Sequence, residues 1–221
     1  MRGSFSMHKA LLPFVFAMAL VLTLGASVRP AFAASPAEQF VADNVQKGLA
    51  ILNNTQLSKD QKRAEFRTFL LNLTDIKQIA EYTLGQYKRT ASPADLAAFD
   101  DAYKDYALAL YQPYFTRYSG QTLQVTGSYE NAPGETTVRT ILIDPAKSSN
   151  PNPVVVEFVV VNRGGRFVVT NFRGSGVSLI ESQRSAHPAF LSDHGGNIAL
   201  LTQSLKNTTQ QMRNKTEQLN K

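Results

Sequence analysis

Apolar residues along this chain recur three and four apart up to about residue 110, then two apart to about residue 174, then three and four apart again. That order predicts helices, then strands, then helices. Phe40, Val41, Val45, Leu49 and Leu52 make one stripe on a helix over residues 36–53. Ser58, with Gln61 three residues on, has the form of a capping box opening a helix that carries Phe66, Phe69 and Leu70. Thr74 and Asp75 can cap a third helix, which presents Ile76, Ile79, Ala80 and Leu84 and ends or bends at Gly85. Ser92 and Pro93 open a long fourth helix whose Phe99, Tyr103, Tyr106 and Leu110 share a face, with Pro113 expected to kink or stop it. Strands are expected over 122–130, 136–144, 154–162 and 166–174, joined by turns at 131–134 and 162–165 and a longer Pro/Ser/Asn loop at 145–153. The third strand is apolar on both sides except at Glu157, so the sheet should be covered on both faces. Helical spacing returns through Val177, Leu179 and Ile180, and again at Ile198, Leu201 and Leu205. Residues 207–221 are polar throughout and read as a fraying tail.

The first 33 residues stand apart from this scheme. Arg2 and Lys9 precede an apolar run from Ala10 to Ala26, and Ala31-Phe32-Ala33 fits a signal-peptidase site, with cleavage after Ala33. The run is short for a span, which needs roughly 20 residues. The expected organisation is a signal peptide (1–33), one α+β domain (34–206) and a polar tail (207–221).

Composition narrows the chemistry. Arg2, Lys9 and Arg29 leave with the leader and no acid does, so the net charge of +6 falls to +3. With no dense basic run, that argues against nucleic acid. The chain has no cysteine, which removes thiol catalysis, Cys-ligated metal and disulfides. His187 and His194 are seven apart beside Pro188 and Gly195, which is no metal motif and suggests surface loops. No Gly-Lys-Ser/Thr phosphate loop is present. The stretch 174–178 lacks the order of a nucleophile elbow and reads as a strand end followed by a helix cap. Asp100, Asp101 and Asp105 read as a solvated helix face. By contrast, residues 73–118 hold seven tyrosines and two phenylalanines at helical spacing, material for an aromatic-lined container.

Three blocks carry a family resemblance. The first is Asp75-Ile-Lys-Gln-Ile-Ala-Glu-Tyr-Thr-Leu-Gly-Gln-Tyr87 with Thr90-Ala-Ser-Pro93 and the helix bearing Phe99, Tyr103, Asp105 and Tyr106. The second is Tyr118-Ser-Gly120 leading into Val125-Thr-Gly127. The third is Gly165-Arg-Phe-Val-Val169, then Gly176-Val-Ser-Leu179, Gln183-Arg-Ser185 and Gly195-Gly196. In order and spacing they resemble the MlaC (toluene-tolerance) family of periplasmic phospholipid carriers. Lys88, Thr170 and the pair Ala186-His187 stand where family members often carry Trp, Asp and Glu-Phe.

The resemblance implies an α+β fold, NTF2-like in outline, in which a curved four-stranded antiparallel sheet wrapped by helices encloses an apolar lipid pocket. It implies no enzyme activity, metal or cofactor, and a monomer as the working unit. It also implies a periplasmic shuttle of phospholipid between an outer-membrane lipoprotein complex and an inner-membrane MCE-protein/ABC-permease complex, in support of outer-membrane lipid asymmetry. Candidate lining residues are Tyr82, Leu84, Tyr103, Tyr106 and Tyr111 on helices and Ile141, Val156, Phe158, Val160, Phe167 and Val169 on strands. Each is equally an ordinary core residue type, and both readings stay open at this point. Arg166 and Arg173, which bracket the last strand, are candidates for the head-group phosphate. Two alternatives remain: a secreted enzyme or sensor centred on Glu157, whose structural counterpart is a cross-strand pair with Arg139, and a carrier of sterol-like, hopanoid-related lipids.

Overall fold

The computed structural model describes residues 34–116, 118–147 and 152–219; the expected signal peptide lies outside the described residues. Six α-helices and one sheet follow in the order α1 (Pro36–Asn53), α2 (Lys59–Leu73), α3 (Ile76–Thr83), α4 (Pro93–Thr116), β1 (Thr122–Ala132), β2 (Glu135–Ile143), β3 (Val155–Arg163), β4 (Arg166–Gly174), α5 (Leu179–Asp193) and α6 (Ile198–Leu219). A 3-10 turn, Gly85–Arg89, links α3 to α4.

Short polar side chains start each helix. Ser35 with Glu38 and Ser58 with Gln61 form reciprocal capping boxes on α1 and α2. Asp75 accepts from the Gln78 amide, Ser92 from Asp95, Ser178 from Glu181 and Asn197 from Leu200. Stretch 174–178 therefore ends a strand and caps a helix, as its composition suggested.

The sheet is antiparallel, in the order β1-β2-β3-β4. The β3–β4 hairpin turns on Gly164 and Gly165, both at positive φ (59° and 93°), the backbone a two-residue reversal needs. Register shifts between Val125 and Gly127, between Glu130 and Ala132, and opposite Val159/Val160 bend the strands and curve the sheet. Pairing assigns the two faces. Leu123, Val125, Val138, Leu142, Val156, Phe158, Val160, Phe167, Val169 and Phe172 share one, the apolar face. Thr137, Arg139, Ile141, Glu157, Val159, Val168, Asn171 and Arg173 share the other, the mixed face.

Burial forms two separate cores. The sheet core packs Ala37 and Val41 of α1 on Val138, Val160 and Val169 of the apolar face. The helical core joins Leu84, Phe99, Tyr103, Leu191, Ile198, Leu201 and Leu205 from the α3–α4 connection, α4, α5 and α6. Val159 and Val168 are also nearly inaccessible on the mixed face, so β3 and β4 are buried on both faces there.

Four details depart from the sequence expectation. Pro113 does not stop α4, which runs one turn further to Thr116; so near the C-terminus the proline deprives the helix of only one hydrogen bond. The run from Asn207, read above as a tail, continues α6 to Leu219. Its Thr209 and Thr216 are buried and donate to the carbonyls of Leu205 and Met212, so hydroxyls stand in an otherwise apolar stripe at no cost in lost hydrogen bonds. His187 is not on a surface loop: α5 runs through Pro188 and buries it. Asp100 is not solvated like Asp101 and Asp105; its side chain is 13% exposed and lies against Lys77 at 2.7 Å, and burial raises its carboxyl pKa.

Candidate functional site

The apolar face of the sheet changes character along its length. Toward the two hairpin turns α1 seals it, and Val138, Val160 and Val169 are at most 3% exposed. The N-terminus of α1 is tied down there by a hydrogen bond between the Ser35 and Ser128 hydroxyls at 3.2 Å. Toward the opposite end the same face carries Leu123, Val125, Leu142, Val156, Phe158 and Phe172, all only partly buried. Thr140 lies among them, but its hydroxyl donates to the Val156 carbonyl at 2.8 Å and offers nothing polar to the surface. An apolar surface dry at one end and half-open at the other suits an extended hydrocarbon.

Helix α1 forms one wall, with Phe40 and Val45 packed on the sheet core and the Phe40 and Phe167 rings 5.6 Å apart. Helix α2 packs against α1. It approaches α1 at Gly48, where a Cβ would stand 3.4 Å from the Phe69 ring and 3.5 Å from that of Phe66. Leu73 at the end of α2 joins the sheet core.

Of the candidate lining residues, Val156, Phe158, Val160, Phe167 and Val169 come together on the apolar face. Ile141 lies on the mixed face, because it is an odd number of residues from Val138 on an unbroken strand. Leu84 and Tyr103 are fully buried in the helical core, and Tyr106 packs against it. The Tyr103 hydroxyl donates to Gln183, and burial raises the Tyr106 phenol pKa. Tyr82 is 44% exposed on the surface. Its hydroxyl donates to Glu181 at 3.0 Å and its ring lies under the Arg184 guanidinium at 5.0 Å, tying α3 to α5; burial, then the Glu181 carboxylate, raises its pKa. The Tyr111 side chain lies outside the described residues.

Arg166 and Arg173 both project from the mixed face, at opposite ends of β4, and roughly 20 Å of strand separates them. One phosphate cannot meet both. Glu157 is also on the mixed face, where it pairs with Arg139 (Nε to Oε1, 3.2 Å) and stands across from Arg173. The cross-strand pair is thus its structural role, and it does not face the apolar surface. Among the described residues no group of three metal-ligating side chains is found.

Sequence reasoning passed over Leu123, Val125, Leu142 and Phe172, although their two-residue alternation was readable once the bulges were known. It also passed over Phe66 and Phe69, whose rings meet α1 at Gly48 because α2 folds back over α1.

The chain matches the model of the MlaC protein family over residues 42–207. Among solved structures it is similar to a phospholipid-binding protein from Ralstonia solanacearum, determined in complex with a phospholipid. The TM-score is 0.68 at 18% sequence identity, with 82% of this chain and 99% of that one covered. At that identity the likeness is one of fold.

Proposed function

The chain belongs to the MlaC family, and on that premise we propose that it is a phospholipid carrier that takes acyl chains against the apolar face of its sheet. The observation that carries this reading is the single continuous face, sealed by α1 at one end and half-open at the other, on a fold shared with a protein solved around a phospholipid. Burial energetics require such a shelter. Two tails of roughly 30 methylenes, at about 0.8 kcal/mol each, would cost on the order of 24 kcal/mol in water. A diffusible complex must therefore enclose the tails, while the head group stays wet. In this reading the exported protein, cleaved after Ala33, works in the periplasm. It accepts and delivers lipid at an outer-membrane lipoprotein complex and an inner-membrane MCE-protein/ABC-permease complex. Glu157 has no place in that cycle beyond holding Arg139.

Native mass spectrometry of the purified protein, followed by solvent extraction, tests the reading. A stoichiometric adduct of phospholipid mass is expected. A sterol-like adduct would move the cargo to another lipid class, and an empty protein from phospholipid-rich cells would overturn enclosure altogether.

A further inference from the structure

Helix α2 is built differently from its neighbours. Every other helix contributes fully buried residues to a core, whereas no residue of α2 is fully buried. Yet α2 carries Phe66, Phe69, Leu70, Leu71 and Leu73, all partly buried. Apolar side chains that protein alone does not finish burying are what an apolar ligand would finish.

Its attachments are unequal at the two ends. At the C-terminal end Leu73 joins the sheet core, Thr74 bridges to Val169 on the free edge of β4, and Asp75 pairs with Arg163 at 2.7 Å. Among the described residues, the N-terminal half makes fewer ties to the sheet. Lys62 donates to the Leu52 carbonyl at 3.0 Å, and the Phe66 and Phe69 rings rest on Gly48. The Arg67–Asp105 ion pair to α4 has both partners about half exposed (48% and 44%), and such a pair holds weakly. A segment with few buried contacts opens at low free-energy cost.

We infer that α2 is the moving wall of the lipid site: it pivots about Thr74, and its N-terminal half swings off α1 and α4 to let acyl chains in and out. The inference rests on the carrier reading and adds its gate. Hydrocarbon lying under Phe66 and Phe69 would close the helix by supplying the burial it lacks, so loading and closure are the same event.

The absence of native cysteine makes the test clean. Arg67→Cys/Asp105→Cys, joined by a reducible bismaleimide, locks α2 to α4. Asp101→Cys/Lys206→Cys, joined in the same way, locks α4 to α6 and serves as the control. Lipid transfer between donor and acceptor phosphatidylglycerol/phosphatidylethanolamine vesicles is followed before cross-linking, after it, and after reductive release. If the gate is α2, the α2–α4 lock slows transfer by about tenfold or more, as the open fraction falls. Release restores the rate, and the control lock leaves it within about twofold. Equal rates for locked and unlocked α2 would overturn the gate and leave the carrier standing. An unmodified protein that neither transfers nor retains lipid would overturn the carrier reading, and the gate with it.

Discussion

Lowering the pH should strip stability from this protein through His187. The imidazole is 7% exposed, between the rings of Phe99 and Tyr103, which meet it edge-on at centroid distances of 5.9 and 6.3 Å. Its Nδ1 lies 2.9 Å from the Thr83 hydroxyl, which itself donates to the Ala80 carbonyl. With its one proton on the Ala80 carbonyl, the hydroxyl accepts from Nδ1–H, and none of these neighbours carries a charge that would favour imidazolium. Burial lowers the pKa from 6.5 to about 4. A base whose pKa is depressed by folding is neutral in the native state and protonates first in the unfolded one. Its contribution to stability is thus complete above 6.5 and drains away as pH falls toward 4. Each pH unit within that window is worth about 1.4 kcal/mol, so moving from about pH 7 to about pH 5 removes about 2 kcal/mol. Urea melts of the wild type and of His187→Gln at both pH values isolate the effect, because carboxylates titrate equally in both proteins. The wild type should lose about 2 kcal/mol more than the variant over that interval. Parallel losses would refute the burial argument, since a histidine that titrates normally in the folded state has no such linkage.

Three further expectations follow from the faces and ends of the molecule. Val156→Asp places a carboxylate on the apolar face and should abolish co-purifying phospholipid, whereas the adjacent Glu157→Gln, on the opposite face, should retain it. Phosphate per mole of protein after extraction reads both, and retention by Val156→Asp would remove that face as the lipid site. Breaking the half-exposed Arg139 pair in Glu157→Gln should cost less than about 1 kcal/mol. Deleting residues 207–221 should cost more than about 2 kcal/mol in a denaturant melt, because Thr209, Met212 and Thr216 belong to the packed stripe of α6. A true tail would leave the midpoint unmoved.

The elements were legible in the sequence because local signals and tertiary demand agree in them. The caps at Ser58, Ser92 and Ser178, the paired glycines of the β3–β4 turn and the two-residue alternation all report short-range physics, and each appears where expected. Misreadings cluster where tertiary packing overrides composition. Thr209 and Thr216 look polar, but a threonine in a helix can return its hydroxyl to the carbonyl four residues back and then pack as a methyl. His187 beside a proline looks like loop, but α5 accepts Pro188 and the ring fills a hole among aromatics. That the candidates on β3 and β4 share one face was legible in the alternation, whereas the helix candidates Leu84 and Tyr103 lie in the helical core. Aromatic spacing on α4 is the same for a core as for a pocket, and Tyr103 proved to be core.

One strand shows how narrowly the site is specified. Along β3, Val156 and Phe158 belong to the apolar face while Glu157 between them reaches Arg139 on the other. A slip of one residue in the pairing of β3 with β2 would turn Glu157 onto the hydrocarbon surface and expose the two apolar side chains. The Arg139–Glu157 pair is partly solvated and adds little stability, yet it is satisfied only in the native register. The ion pair on the mixed face thus helps fix which side chains the apolar face presents, and the same logic extends to Thr140. Its hydroxyl is bonded across to the Val156 carbonyl only when β2 and β3 are aligned as observed. An apolar face can stay half-unfinished only if the strands beneath it hold one register, and the Arg139–Glu157 pair and the Thr140 hydroxyl are polar contacts made in that register.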